Sequence, residues 1–316
     1  MARYLARRLL LIPPVLVLVS IIAFSIILLL PGDPALAILG EERSHDQAAY
    51  AALRSELGLD QPIPVQYLTW AGRALHGDLG LSARNQQPVG SLIVLSLGPT
   101  LELSLLALGI ALLIALPLGV LAAARPNSLF DLLGTALGLA GIAMPSFLLG
   151  ILLIFAFGVW LHVLPTGGFV DPTRSVADSL RLMLLPAVAL GAGLAATLMR
   201  QIRSELLDVF GQDYVTTAHA KGLSRARVVL GHALRNALIP VITLLGVQIG
   251  RLFGGAVVIE TIFAIPGMGR LAVQSIFLRD FPVVQAIVLV MALAVLLSNL
   301  LADVLYGVVD PRVAYH

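Results

Sequence analysis

The chain has 316 residues, 59% hydrophobic and 12% charged, with a net charge of +2. Soluble domains carry about 25% charged residues, so a chain this apolar has a bilayer for its solvent, and its few basic residues do not make a nucleic-acid surface. Cysteine is absent, which excludes disulfides, thiolate chemistry and Cys-based metal sites.

A membrane span needs about 20 mostly apolar residues. The first candidate is 9–30, behind Arg3, Arg7 and Arg8. It is longer than the apolar core of a signal peptide, and the small-x-small triplet Ala35-Leu36-Ala37 is crowded by Pro31, Asp33 and Pro34. A retained helix is therefore expected. Residues 31–96 form a polar insert with turn signals at "DQPIP" and "GDLG", read as a small cap on one side of the membrane. Further spans are expected at 97–123, 132–161, 182–199, 239–263 and 283–309. Pro145 lies near the centre of the third; proline bends a helix, so one kinked span is expected in preference to two re-entrant halves. The fold class is an all-α membrane protein of six spans.

Lys and Arg in short loops set orientation. With the N-terminus inside, the inner set holds Arg3, Arg7, Arg8, Arg125, Arg200, Arg203, Lys221, Arg225, Arg227, Arg235 and Arg312, and the outer short loops hold Arg174, Arg181, Arg270 and Arg279. This bias predicts both termini in the cytoplasm, and it places 213–237 there too, between spans four and five.

No G-x-x-x-x-G-K-[ST] phosphate loop occurs, so the chain cannot cradle ATP itself, and no H-E-x-x-H or G-x-S-x-G is present. The six histidines lack helical metal-ligand spacing. The spans hold few ionisable residues: Arg251, and nearer their ends Glu102, Glu260 and Asp303. The expectation is a transport path with no enzyme activity, no metal and no cofactor of its own.

The polar segment "DYVTTAHAKGLSRARVVLGHALRNALIP" (213–240) interrupts this hydrocarbon. Asp213 suits the cap of a short helix, Lys221 suits its C-terminal dipole, Gly222 suits a left-handed C′ position, and Ser224 suits the cap of a second helix. Tyr214, Val215 and Ala218 share one face by helical spacing, an apolar patch for docking into another protein. The residues alone leave open a solvated loop of positive-inside charges.

This segment resembles the cytoplasmic coupling loop of ABC importer permeases, whose general pattern is E-A-A-x3-G-x9-I-x-L-P. Ala218 and Gly222 fit; Thr216 and Thr217 replace the first two letters, and His232 to Arg235 replace I-x-L-P. These departures match the dipeptide/oligopeptide/nickel branch. Further resemblance comes from "LPGDP" (30–34), "LGLDQPIPVQYLTW" (57–70), "PTLELS" (99–104), "MPSF" (144–147), "GGAVVIETIFAIPGMGR" (254–270) and "DVLYGVVDPR" (303–312). It implies a B-type permease of a bacterial inner membrane, forming a single transmembrane domain. Its implied partners are a C-type permease, two ATPase subunits that hold ATP and Mg, and an extracytoplasmic binding protein. It implies ATPase coupling through Tyr214, Val215, Ala218, Lys221, Gly222 and Ser224. The implied cargo is di- or oligopeptide, with glutathione, nickel or a metal chelate as alternatives; a secondary transporter is the alternative from another class.

Two further expectations concern the path. Gln248 and Arg251 lie near mid-span, and an arginine at that depth faces a cavity or a partner. Glu260, nine residues on, falls on nearly the opposite face of the helix, so either the path or a carboxylate of the other permease is the counterpart of Arg251. The segment 264–282 is expected to form a short outer helix between Pro266 and Pro282, with Arg270, Arg279 and Asp280 facing the binding protein or pairing internally.

Overall fold

A computed structural model describes residues 2–29, 46–56 and 58–309. The motif at 30–34, the small-x-small triplet and Arg312 lie outside them. Eleven helices are numbered here in chain order: α1 (Ala2–Leu29), α2 (Gln47–Glu56), α3 (Ile63–Leu75), α4 (Val89–Ala124), α5 (Leu129–Ala143), α6 (Ser146–Trp160), α7 (Val176–Phe210), α8 (Asp213–Ala220), α9 (Arg225–Ile262), α10 (Met268–Phe277) and α11 (Phe281–Val309). No strand occurs among the described residues beyond an isolated bridge between Leu81 and Pro88. In hydrocarbon each backbone N–H and C=O must be satisfied within the segment, which leaves helices as the open solution for this composition.

Four helices, α4, α7, α9 and α11, are long and apolar enough to cross a membrane, and the bent pair α5–α6 makes five if it is one span. In α1 the described apolar stretch is the shorter Leu9–Ser25. The expected six spans are reached only by adding both α1 and the bent pair.

The helices overrun the apolar runs. Helix α4 begins at Val89, inside the expected insert, and α7 extends the expected 182–199 to Val176–Phe210. Hydropathy marks where hydrocarbon lies, whereas a helix continues through polar residues until something caps it. The Ser175 hydroxyl accepts from the Asp178 N–H at the start of α7, and Ser128 does the same for Asp131 at the start of α5. The third expected span also differs, because α5 and α6 meet at 104°. Met144 and Pro145 are both extended (ψ 120° and 136°), as expected when proline disfavours helical geometry in the residue before it. The result is a broken helix pair, a sharper break than a kink.

Helix α7 is central: 67% of its most apolar window is buried, against 28–33% for α4, α9 and α11. It packs most extensively on α4, with α5, α6 and α9 around it; α9 then packs on α11, and α11 on α1. The α4–α7 seam is built of small residues. Ala107, Ala111 and Ala115 recur every four residues along α4 and are buried against a core that includes Ala187, Ala189 and Ala195 of α7. Lipid is as apolar as leucine, so close approach of small residues drives packing here. At the basic end of the bundle, Arg203 of α7 grips Asp131 of α5 through Nε (2.5 Å) and Nη2 (2.9 Å).

The α9–α11 crossing is closer still. A Cβ placed on Gly246 would stand 1.8 Å from Ala302 Cβ, whereas one on Gly254, two turns along α9, meets nothing within 4 Å. Gly246→Ala is therefore expected to destabilise the purified protein by about 1–3 kcal/mol in a denaturant titration, and Gly254→Ala to be tolerated. Equal effects would contradict this crossing.

Candidate functional site

Helix α9 carries the three candidate regions at its first turns, its middle and its last turns.

At the start of α9, α8 meets it in an elbow. Gly222 has φ +79°, and the Leu223 N–H bonds back to the Ala218 carbonyl (3.3 Å), the closing bond of a Schellman turn. The expected left-handed glycine is therefore in place. Ser224 has extended dihedrals at the start of α9, but its side chain makes no capping bond; its carbonyl accepts from the Val228 N–H instead. Asp213 is the first residue of α8, and the Gln212 carbonyl before it accepts from Val215 and Thr216. The acidic side chain then sits where the helix dipole favours it.

The expected docking face is corrected. Val215 (3% exposed) and Ala218 (8%) turn inward and pack with buried Val228, against Phe210 and Leu223. They hold α8 to its own bundle. Tyr214 stays 41% exposed, with its hydroxyl accepting from Asn236 Nδ2 at 2.8 Å. Thr216, Thr217, Lys221 and Ser224 are exposed. A notch of about 340 Å³ beside them is lined by Phe210, Val215, Thr216, Arg225 and Val229. Arg225 also donates to the Ala124 carbonyl at the end of α4, a tie that loop charge alone did not suggest. Residues Val229–Ala233 of α9 wind as a π-helix next to the elbow; such segments recur at functional sites.

At mid-helix the two expected path residues part. Gln248 is buried within the chain's own bundle, and its Oε1 has no hydrogen-bond partner among the described residues. Arg251 is exposed. It lies on a stripe with Val247, Gly254 and Val258, all exposed at helical spacing. Eleven residues separate Arg251 from Ile262, about 17 Å along the axis, close to the middle of a hydrocarbon layer about 30 Å thick. Its guanidinium makes no hydrogen bond or ion pair to the described residues.

At the far end of α9 Glu260 is fully buried. One carboxylate oxygen accepts from Thr100 of α4 (2.6 Å) and the other from the Arg270 N–H (3.0 Å), while Thr100 Oγ1 accepts from the Met268 N–H (2.8 Å). This knot joins α4, α9 and α10. The sequence signal available for it was a glutamate near a span end followed by the polar turn "AIPGMGR"; Thr100 is 160 residues away and carried none.

The expected outer helix is present as α10, but its charges do not all face outward. Asp280 is buried and accepts from Ser82 Oγ and from the Ala83 N–H (3.0 Å), pinning the insert to the start of α11. Arg270 is half-buried and donates to the Ala264 carbonyl (2.6 Å). Of the three residues only Arg279 is exposed, so internal pairing holds for the other two.

Comparison with known proteins fits this arrangement. Residues 115–315 match the family described as binding-protein-dependent transport system inner membrane component, and residues 1–104 match its N-terminal model. The dipeptide transport system permease protein of Escherichia coli K12 is 39% identical over 338 residues, covering 100% of this chain and 99% of that protein. The glutathione transport system permease protein of Salmonella typhimurium is 43% identical over 315 residues, covering 100% of both. A chain of an inward-facing methionine ABC transporter superposes with a TM-score of 0.57 at 18% identity, covering 69% of this chain and 96% of that one, which shows a shared fold. The helices built for hydrocarbon, the glycine elbow and the end-to-end matches together place this chain in the family of inner membrane components of binding-protein-dependent transport systems.

Proposed function

We propose that the chain is one of two permeases in an ATP-driven importer and forms half of a path for di- or oligopeptides delivered by a binding protein. The elbow at Gly222 carries this reading: a two-turn helix is fixed by its apolar side to the bundle and leaves a polar side and a notch open. Relatives named for dipeptide and for glutathione transport support a peptide-like cargo, and glutathione is kept as the second reading because a relative so named is 43% identical end to end. Both termini and the elbow are assigned to the cytoplasm from the arginine bias of the loops.

In this mechanism the chemistry of ATP and Mg belongs to two partner subunits. One of them grips Tyr214, Thr216, Thr217 and Lys221, and its closure carries α8 inward or outward. Because Val215 and Ala218 bind α8 to its own bundle, that motion passes into α9 and rocks this permease against a C-type partner. Arg251, exposed at mid-bilayer, faces the path and offers a planar fork to a carboxylate, such as a peptide C-terminus. A bare divalent cation is repelled there, which favours peptides or anionic chelates over free nickel.

Two experiments test these roles. A side chain at Gly222 meets open space, so Gly222→Val acts through backbone strain alone, about 1–2 kcal/mol for a left-handed residue. Substrate uptake is expected to fall about 5- to 30-fold, with basal ATPase activity kept and its response to substrate lost. Gly222→Asn, which tolerates positive φ better, should recover much of the loss. Normal uptake in the valine variant would refute the elbow as a lever.

For the path, Arg251→Glu removes a charge-assisted bond worth about 1.5–3 kcal/mol. Uptake of zwitterionic or anionic substrates should fall roughly 10- to 100-fold, with the complex still assembling. Failure to assemble would instead identify Arg251 as a structural partner of the other permease; unchanged uptake would take it off the path.

A further inference from the structure

We propose that Asn299 of α11 is a second recognition residue of the path, and that it accepts the N–H of the peptide bond next to the C-terminal carboxylate taken by Arg251. Asn299 has this role only if Arg251 faces the path, as proposed above.

Polar side chains in the middle turns of the spans mostly bond within the chain. Thr197, Thr243 and Ser298 return their hydroxyls to carbonyls four residues back, and Glu102 accepts from Ser179. Asn299 differs. It is exposed, and its carboxamide bonds to none of the described residues. Ten residues separate it from Val309, about 15 Å along α11 and well inside a hydrocarbon layer about 30 Å thick. An amide with no hydrogen bond is costly in hydrocarbon, so Asn299, like Arg251, faces water or a polar partner.

The α9–α11 crossing sets the two residues side by side. Gly246 abuts Ala302, and one turn along α9 a Cβ placed on Gly250 would stand 3.4 Å from Val295 Cγ1 and 4.0 Å from Asn299 Oδ1. Arg251 is the next residue. Gly254 shares its exposed face, and a Cβ there meets nothing within 4 Å. Arg251 and Asn299 thus flank a surface that Gly250 and Gly254 leave without side chains. Glycine lets a ligand approach the backbone closely, so an extended peptide can lie on this surface.

Donor and acceptor chemistry assigns the roles. A guanidinium has donors and no acceptor, whereas a carboxamide has both. The carboxylate therefore goes to Arg251, and Asn299 Oδ1 is left for a donor. In a peptide the donor nearest the C-terminal carboxylate is the N–H of that same residue, one Cα away. Dipeptides, oligopeptides and glutathione share this pair of groups, and neither group belongs to a side chain. Recognition at this point is indifferent to the cargo's side chains, and a bare metal ion offers neither group.

The test measures uptake by the assembled transporter in proteoliposomes, with its binding protein and ATP. Ala-Ala is compared with Ala-Pro, which keeps the carboxylate but has no N–H on its peptide bond. Each variant's rate is divided by that of the unaltered transporter on the same peptide, so the binding protein's own preference cancels. Asn299→Leu, similar in shape, should lower Ala-Ala uptake about 5- to 30-fold and leave Ala-Pro uptake unchanged. Asn299→Gln should recover part of the loss. Arg251→Glu should lower uptake of both peptides alike. If Arg251→Glu leaves both unchanged, the path reading fails and this role with it. If Arg251→Glu acts as expected but Asn299→Leu lowers both peptides equally, or neither, the role of Asn299 alone is overturned. Failure of the Asn299→Leu chain to co-purify with its partner subunits would also overturn it, by making Asn299 an assembly contact.

Discussion

An eight-residue helix cannot hold itself together in water, and α8 stands only because the left-handed Gly222 folds it back onto the bundle. That turn brings Val215 and Ala218 against Val228. Because the residue after the turn leads directly into α9, a push on α8 is a push on a helix of 38 residues, about 57 Å long. The same helix presents Arg251 at its middle and Glu260 at its far end. The small-residue seams around it, alanine on alanine between α4 and α7 and Gly246 against Ala302, leave no soft layer to absorb a displacement.

The far end of α9 is correspondingly tied. Glu260, Thr100, Met268 and Arg270 form a buried knot, and Asp280 pins Ser82 and Ala83. Buried carboxylates are tolerated in such a place only when their oxygens find donors, and here each does. The two knots tie α4, α9, α10, the 82–83 turn and the start of α11 to one another. Arg279 remains free beside them, and the charges around it serve the ties themselves.

Much of the fold was legible because hydrocarbon thickness constrains composition directly: four of the six apolar runs coincide, to within a residue, with stretches of α4, α7, α9 and α11. Helix ends were not, since caps such as Ser175 lie in polar sequence where hydropathy says nothing. At the elbow, glycine between a basic residue and a serine named the turn correctly, because few residues adopt φ +79° without strain. The same stretch misled on Val215 and Ala218. An apolar helical face shows that a residue will be covered, but whether by its own bundle or by a partner depends on how the turn aims the helix. Gln248 and Arg251 are three residues apart on one helix, yet one is buried and the other exposed, a distinction set by α9's neighbours. The Glu260–Thr100 and Asp280–Ser82 contacts join residues 160 and 198 positions apart, beyond any local pattern.

A lever at the elbow requires α8 and its bundle to move as one rigid body. The chain has no cysteine, so spin labels placed at Thr217 and Val258 are unique within it. Their distance, measured by pulsed electron resonance in the assembled transporter, should be the same in the nucleotide-free and ATP-bound states, while the distance between Thr217 and the neighbouring permease changes. A Thr217–Val258 distance that shifts with nucleotide, against a constant distance to the neighbour, would mean that α8 flexes at Gly222 and that no lever exists.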